Sequence, residues 1–114
     1  MSEDDKLEGF FWKAANGRQS YEIYKATPDF IFVAAKILHE RFGFTKAKKP
    51  IDGIDHLITD CAKDDVKLLL GWDNWSGFYL MSDSEAGDAV VMAVGNYFES
   101  IIQQTEFDTY IHRW

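Results

Sequence analysis

The chain of 114 residues has one cysteine, Cys61, and two prolines, and none of its apolar runs approaches the ~18 residues of a membrane span. A lone cysteine excludes an internal disulfide, so stability has to come from packing, and a reducing, cytoplasmic setting fits best. The start, Met-Ser-Glu-Asp-Asp-Lys, has neither the basic beginning nor the apolar stretch of a secretory signal, so a chain that keeps its N-terminus is expected. Positive charge is scarce in the second half. Residues 1–49 carry nine Lys/Arg against seven Asp/Glu, and residues 50–114 carry three against twelve, which accounts for the formal charge of −7. With a pI near 4.8, that balance excludes binding nucleic acid through the general phosphate field, which needs a basic surface. The short Lys46, Lys48, Lys49 cluster is the exception, and it reads as a solvated loop.

What is present is apolar and aromatic. At 46% hydrophobic and 16% aromatic residues the composition is that of a folded protein. The length suits one domain. Residues 9–25 read as a β-hairpin around Asn16-Gly17, a dipeptide suited to a two-residue type I′ turn. In that register Ala15 faces Arg18, Lys13 faces Ser20, Trp12 faces Tyr21, Phe11 faces Glu22 and Phe10 faces Ile23, giving one aromatic and one mostly polar side. A helix over 3–15, capped near Gly17, is the competing reading, and Phe10, Phe11 and Trp12 favour strand.

Thr27 has the character of an N-cap with Pro28 at the first helical position, opening a helix to Phe42. Its stripe is Phe30, Ile31, Ala34, Ile37, Leu38 and Phe42; Gly43 ends it and Phe44 folds back on the last turn. Residues 45–56 form an irregular connection. Strand-like runs at 57–62, 66–72 and 77–82 follow, separated by turns short enough to imply an antiparallel meander. The last helix begins near Ser82 or Asp88, where Ser82-Asp83-Ser84-Glu85 has the form of a capping box, and runs to about Gln103, with Gly95 allowing close approach to the sheet. The order ββαβββα predicts an α+β two-layer domain, an antiparallel sheet of about five strands covered by two main helices.

No catalytic constellation stands out. Cys61, inside a predicted strand beside Asp60, reads as a small packing residue rather than a nucleophile. His39, His56 and His112 have no zinc spacing. Asp52-Gly53-Ile54-Asp55-His56 is the best metal candidate, but the stretch lacks further oxygen ligands, and Asp and Gly are expected in any turn. No metal or cofactor, and no enzymatic activity, is therefore expected. The informative segment is Gly71-Trp72-Asp73-Asn74-Trp75-Ser76-Gly77-Phe78-Tyr79-Leu80-Met81, where a tight turn has little room to bury two indoles. Strand parity sends Trp72 inward with Val66, Leu68 and Leu70, and Trp75 is either a surface anchor beside acidic residues or packed over a helix end.

With Asp52-Gly53-Ile54-Asp55 upstream and Ser84-Glu85-Ala86-Gly87-Asp88 downstream, this segment resembles the small acidic immunity proteins that bacteria pair with polymorphic toxins, including those of contact-dependent growth inhibition. The resemblance covers the C-terminal half and rests on the aromatic turn, the size and the acidity. It implies a non-catalytic protein that binds a toxin domain, frequently a basic nuclease, and no functional residue is carried over by correspondence. Charge and aromatic exposure alone nominate Asp60, Asp64, Asp65, Asp73, Asp83, Glu85 and Asp88 for a basic protein partner, with Trp75 and Tyr79 as apolar anchors. A small-molecule or peptide binding module is the alternative, its pocket lined by Phe10, Trp12, Tyr21, Tyr24 and Trp72.

Overall fold

The computed structural model describes residues 6–53 and 56–111. Its elements run β1 (Phe10–Lys13), β2 (Gln19–Ile23), α1 (Phe30–Phe42), β3 (Ile51–Gly53), β4 (His56–Lys63), β5 (Val66–Asp73), β6 (Gly77–Ser82) and α2 (Glu85–Ile101), followed by a 3-10 helix at Thr105–Tyr110. All strand pairs are antiparallel, in the order β1-β2-β6-β5-β4-β3. The expected α+β architecture is present, with one more strand than the sequence suggested: β3 lies at the edge, within the stretch read as an irregular connection. After β2 the chain leaves through α1 to the far edge and returns strand by strand, so β6 closes the sheet against β2.

Both helices cover one side. Tyr21, Ile23, Phe78, Leu80, Leu68, Leu70 and Trp72 alternate along their strands toward the helices and are buried with Phe30, Ile31, Ala34, Leu38, Val91, Val94 and Phe98. Phe30 joins the layers, its ring 5.1 Å from Phe78 and 5.9 Å from Phe98. Gly95 brings α2 down onto the sheet, because a Cβ there would meet the ring of Phe11 at 2.5 Å and Tyr21 at 2.9 Å. The C-terminal segment closes one end of this core: Thr27 N–H donates to the Tyr110 carbonyl at 2.8 Å, Ala26 bridges Ile111, and the Trp72 indole donates to the Ala26 carbonyl at 2.8 Å.

Both helix starts differ from expectation. Asp29 precedes the first helical residue of α1 with no side-chain cap, and Thr27 Oγ1 is buried without a partner among the described residues, although Phe30 N–H reaches the Thr27 carbonyl at 3.1 Å. The cap of α2 is Ser84, whose Oγ accepts from Gly87 N–H at 3.3 Å; Ser82 still belongs to β6 and braces Ser84 by donating to its carbonyl at 2.6 Å. The C-terminus of α1 is as expected, with Gly43 left-handed at φ 77 and Phe44 buried beneath it.

The hairpin register is one residue away from the expected one. Phe10 faces Glu22, Phe11 faces Tyr21, Trp12 faces Ser20 and Lys13 faces Gln19. The loop has three residues instead of two: Gly17 N–H donates to the Ala14 carbonyl and Ala14 N–H to the Arg18 carbonyl, both at 2.9 Å, with Gly17 left-handed at φ 83. A type I turn followed by a left-handed glycine is the second common hairpin solution, and Asn-Gly suits it as well. Because side chains alternate with period two, the slip moves Phe11 to the helix side and Phe10 and Trp12 to the other.

Gly17 and Gly77 share a left-handed φ but differ in surroundings. Nothing lies within 4 Å of a Cβ at Gly17, whereas one at Gly77 (φ 68) runs into the Ile23 and Tyr24 carbonyls. Gly17→Ala should cost about 1–2 kcal/mol in urea unfolding, the left-handed penalty alone. Gly77→Ala should cost clearly more, since rigid backbone cannot give way.

Candidate interaction surface

Among the described residues no element covers the side of the sheet opposite the helices. Its cross-strand rows follow from the register. One runs Phe10, Glu22, Tyr79, Gly71, Ile58, Ile51, and the next runs Trp12, Ser20, Met81, Leu69, Asp60. Phe10 is 47% exposed, Trp12 44% and Ile51 74%, an apolar display that a solvated sheet face would replace with polar residues. At one end of this face the β5–β6 turn carries Trp75, 80% exposed. Asp73 shapes that turn, its Oδ1 accepting from the backbone N–H of Trp75 at 2.9 Å and of Ser76 at 2.5 Å.

The polar centre of the open face is Glu22. It is 7% exposed, in direct register with Tyr79 and Phe10, and its carboxylate accepts hydrogen bonds from the Trp12 and Ser76 side chains. Burial raises its pKa above the ordinary value, the two hydrogen bonds pull it back in part, and the negative charge of Asp73 adds to the rise. Tyr79 is raised too, by burial first and then by Asp73 and Glu22. The Tyr79 side chain lies across Gly71, its ring tip occupying the space where a Cβ would stand.

The nominated residues divide into two groups. Asp60, Asp73 and Tyr79 share the open face, with Trp75 at its rim. Asp64 and Asp65 occupy the β4–β5 turn, and Asp83, Glu85 and Asp88 lie around the start of α2. The eight-residue strand β5 separates that end from the Asp73 turn by roughly 23 Å, so the nine do not form one patch. Basic residues also gather at the α2 end: Arg18 lies 3.5 Å from Asp88, which in addition accepts from Gln19 N–H at 3.0 Å, and Lys63 donates to the Phe42 carbonyl at 2.9 Å. Asp60 is shared with Lys67 at 3.7 Å. Asp88 thus joins α2 to β2. The linear charge skew does not become a uniform acidic surface.

Compared with known proteins, the chain matches no protein family, no curated protein and no solved structure at a significant level. The surface has to be read from its own geometry. The five rings nominated for a pocket fall on different sides: Tyr21 and Trp72 are in the core, whereas Phe10 and Trp12 are on the open face. Phe10 and Tyr24 share a hollow of about 470 Å³ with Lys6, Glu8 and Lys25. Among the described residues no three His, Cys, Asp or Glu converge as metal ligands would. The side chains of Asp52 and Asp55 lie outside the described residues, as does His112. His39 Nδ1 is 2.8 Å from the Phe44 carbonyl, beyond the end of α1. No helix among the described residues is long and apolar enough to cross a membrane.

Sequence reasoning missed Glu22, Trp12 and Phe10 as surface residues, because the two-residue turn turned the hairpin over. The signal was the compatibility of Asn-Gly with the three-residue loop. Glu22 should also leave a mark on stability. A carboxyl whose folded pKa is raised contributes most when protonated, below its ordinary value near 4.5, and loses that contribution as pH rises through the folded value. Glu22→Gln should therefore match the parent in acid and exceed it in unfolding free energy at neutral pH. Burial, with Asp60 adjacent, pushes the Cys61 thiol up to about 12. A disulfide reagent at neutral pH should modify Cys61 only as fast as the protein unfolds.

Proposed function

We propose that this protein is a non-enzymatic, cytoplasmic inhibitor of the immunity type, which neutralises a basic toxin domain by docking the open face of its sheet upon it. The observation that carries this reading is the one-sided sheet. Phe10, Trp12 and Ile51 stand exposed on it, Trp75 stands at its rim, and carboxylates sit among them. The strands, three to eight residues long, at about 3.3 Å per residue and about 4.8 Å spacing, give some 500 Å², a large part of the ~800 Å² per partner of a standard interface. Rigid aromatics supply desolvated anchors, and the charge of −7 steers a basic partner toward the molecule and disfavours acidic ones. No cofactor enters this function.

The experiment is co-expression with the toxin domain encoded beside this gene, together with calorimetric titration of the two proteins. Protection from growth arrest and binding that weakens with salt are expected. Trp12→Ala combined with Trp75→Ala should weaken binding about 30-fold or more, as hot-spot residues do. Asp64→Asn with Asp65→Asn, in the turn away from Trp75, should change the association rate only slightly. Full binding by the double tryptophan variant would remove the open face from the interface.

A further inference from the structure

The sheet ends at β1, and the hydrogen-bond parity of the hairpin fixes which backbone groups that edge leaves open. Ala14 N–H is bonded to the Arg18 carbonyl, and in an antiparallel pair bonded and non-bonded positions alternate. Phe10 and Trp12 therefore turn their N–H and C=O groups to Glu22 and Ser20 of β2, while Gly9, Phe11 and Lys13 turn theirs outward. Two bonds elsewhere fit that parity. Gln19, opposite Lys13, sends its N–H to Asp88 at 3.0 Å instead of to β1, and Gly9 sends its outward N–H to Glu99, also at 3.0 Å. Among the described residues nothing meets the outward N–H of Phe11 or Lys13. Native edges are commonly blunted by a charge, a proline or a bulge, and Phe10-Phe11-Trp12 contains none of these. The opposite edge, β3, is three residues long and carries Asp52.

We propose that β1 pairs antiparallel with β1 of a second copy of this chain, about a two-fold axis through Trp12, joining two six-stranded sheets into one. In that register Phe11 stands opposite Lys13 of the second copy and the two exchange both of their backbone hydrogen bonds. The symmetry repeats the exchange, so every open group of the two edges is used. Trp12 stands opposite its own mate at the non-bonded position, where side chains approach most closely, and both indoles project on the open face, where each is 44% exposed in the single copy. Charge favours this occupant over a strand from a basic protein. Residues 6–25 carry Lys6, Lys13, Arg18 and Lys25 against Glu8 and Glu22, so the hairpin runs against the acidity of the whole chain and a basic strand would meet like charge. Between two copies each Lys13 falls across from Phe11, and no like charges stand opposite one another. The contact is short, so association belongs to the weak, concentration-dependent class. It goes beyond the toxin reading and stands whether or not that reading holds.

The test follows the full chain from micromolar to millimolar concentration by sedimentation equilibrium and by amide hydrogen exchange read with nuclear magnetic resonance. The mass should rise toward twice the 13.1 kDa of one chain. Exchange at the Phe11 and Lys13 N–H groups should slow with it, by about tenfold across the series, while the Trp12 N–H, bonded inside the hairpin, keeps its rate. Lys13→Pro removes an outward donor and leaves the bonds to β2 in place, a change that edge strands tolerate. It deletes half of the hydrogen bonds between the copies and should weaken association roughly tenfold or more, with the unfolding midpoint in dilute solution close to the parent's. A mass of 13.1 kDa throughout, or a dimer whose Phe11 and Lys13 amides exchange at the dilute rate, would overturn the assignment. Slowing that appears only when a basic protein is added would give the edge to another occupant and overturn it too. So would a folded Lys13→Pro variant that associates as the parent does; if that variant does not fold, the exchange series on the parent decides alone.

Discussion

Burying Tyr21 decides which side of the sheet is inside. Its ring is fully covered, packed 5.0 Å from Phe11 and 6.1 Å from Phe98, and its hydroxyl donates to Glu99 Oε2 of α2 at 2.6 Å. Gly9 N–H donates to the same carboxylate oxygen at 3.0 Å, so one acid fixes both the core tyrosine and the chain entering β1. Burial and the carboxylate together hold the Tyr21 phenol far above its ordinary pKa, which keeps it a neutral donor. With Tyr21 and Ile23 committed inward, period two forces Ser20 and Glu22 outward.

The open face is a consequence of that commitment. A carboxylate carried outward on a central strand lands between strands, where Trp12, Ser76 and Tyr79 cover it and water reaches it poorly. Both helices are used on the other side, since α1 spends its length crossing from β2 toward β3 and α2 lies against β2 and β6. Nothing in the described chain remains to cover the aromatic row. A sheet with one apolar face open gives up burial that a third layer would add. That cost is understandable where a partner supplies the missing layer, and it is the physical link between fold and proposed role.

Electrostatics divides along the same lines. At the α2 end carboxylates have local work: Asp88 holds Arg18 and Gln19, and Glu85 and Asp88 lie in the first turn of a helix, where negative charge is favourable. At the other end Asp73 stands opposite His56 in the β4–β5 register, and its negative charge adds to the rise in the Glu22 pKa. The acidity visible in the composition is therefore split between acids with local structural roles, such as Asp88 and Glu99, and acids whose place on the open face is set by the sheet register.

The sequence alone determined the elements. Alternation and short turns located β4, β5 and β6 nearly to the residue, the apolar stripe located α1, and Trp72 was assigned inward by parity, because these are local signals carried by neighbouring residues. It also placed at least one of the two turn indoles at the surface, since a tight turn has little room for both, and the fold exposes Trp75. Tertiary structure decided the rest. Asn16-Gly17 satisfies a two-residue and a three-residue loop, and only the fit of Tyr21 beneath Gly95 selects between them. The short edge strand β3 exists because β4 offers it a pairing edge, and Ser84 replaces Ser82 as cap because β6 holds Ser82. Whether twelve acids in one half become one field or two depends on distance, and distance between residues far apart in the chain is set only when the strands pair.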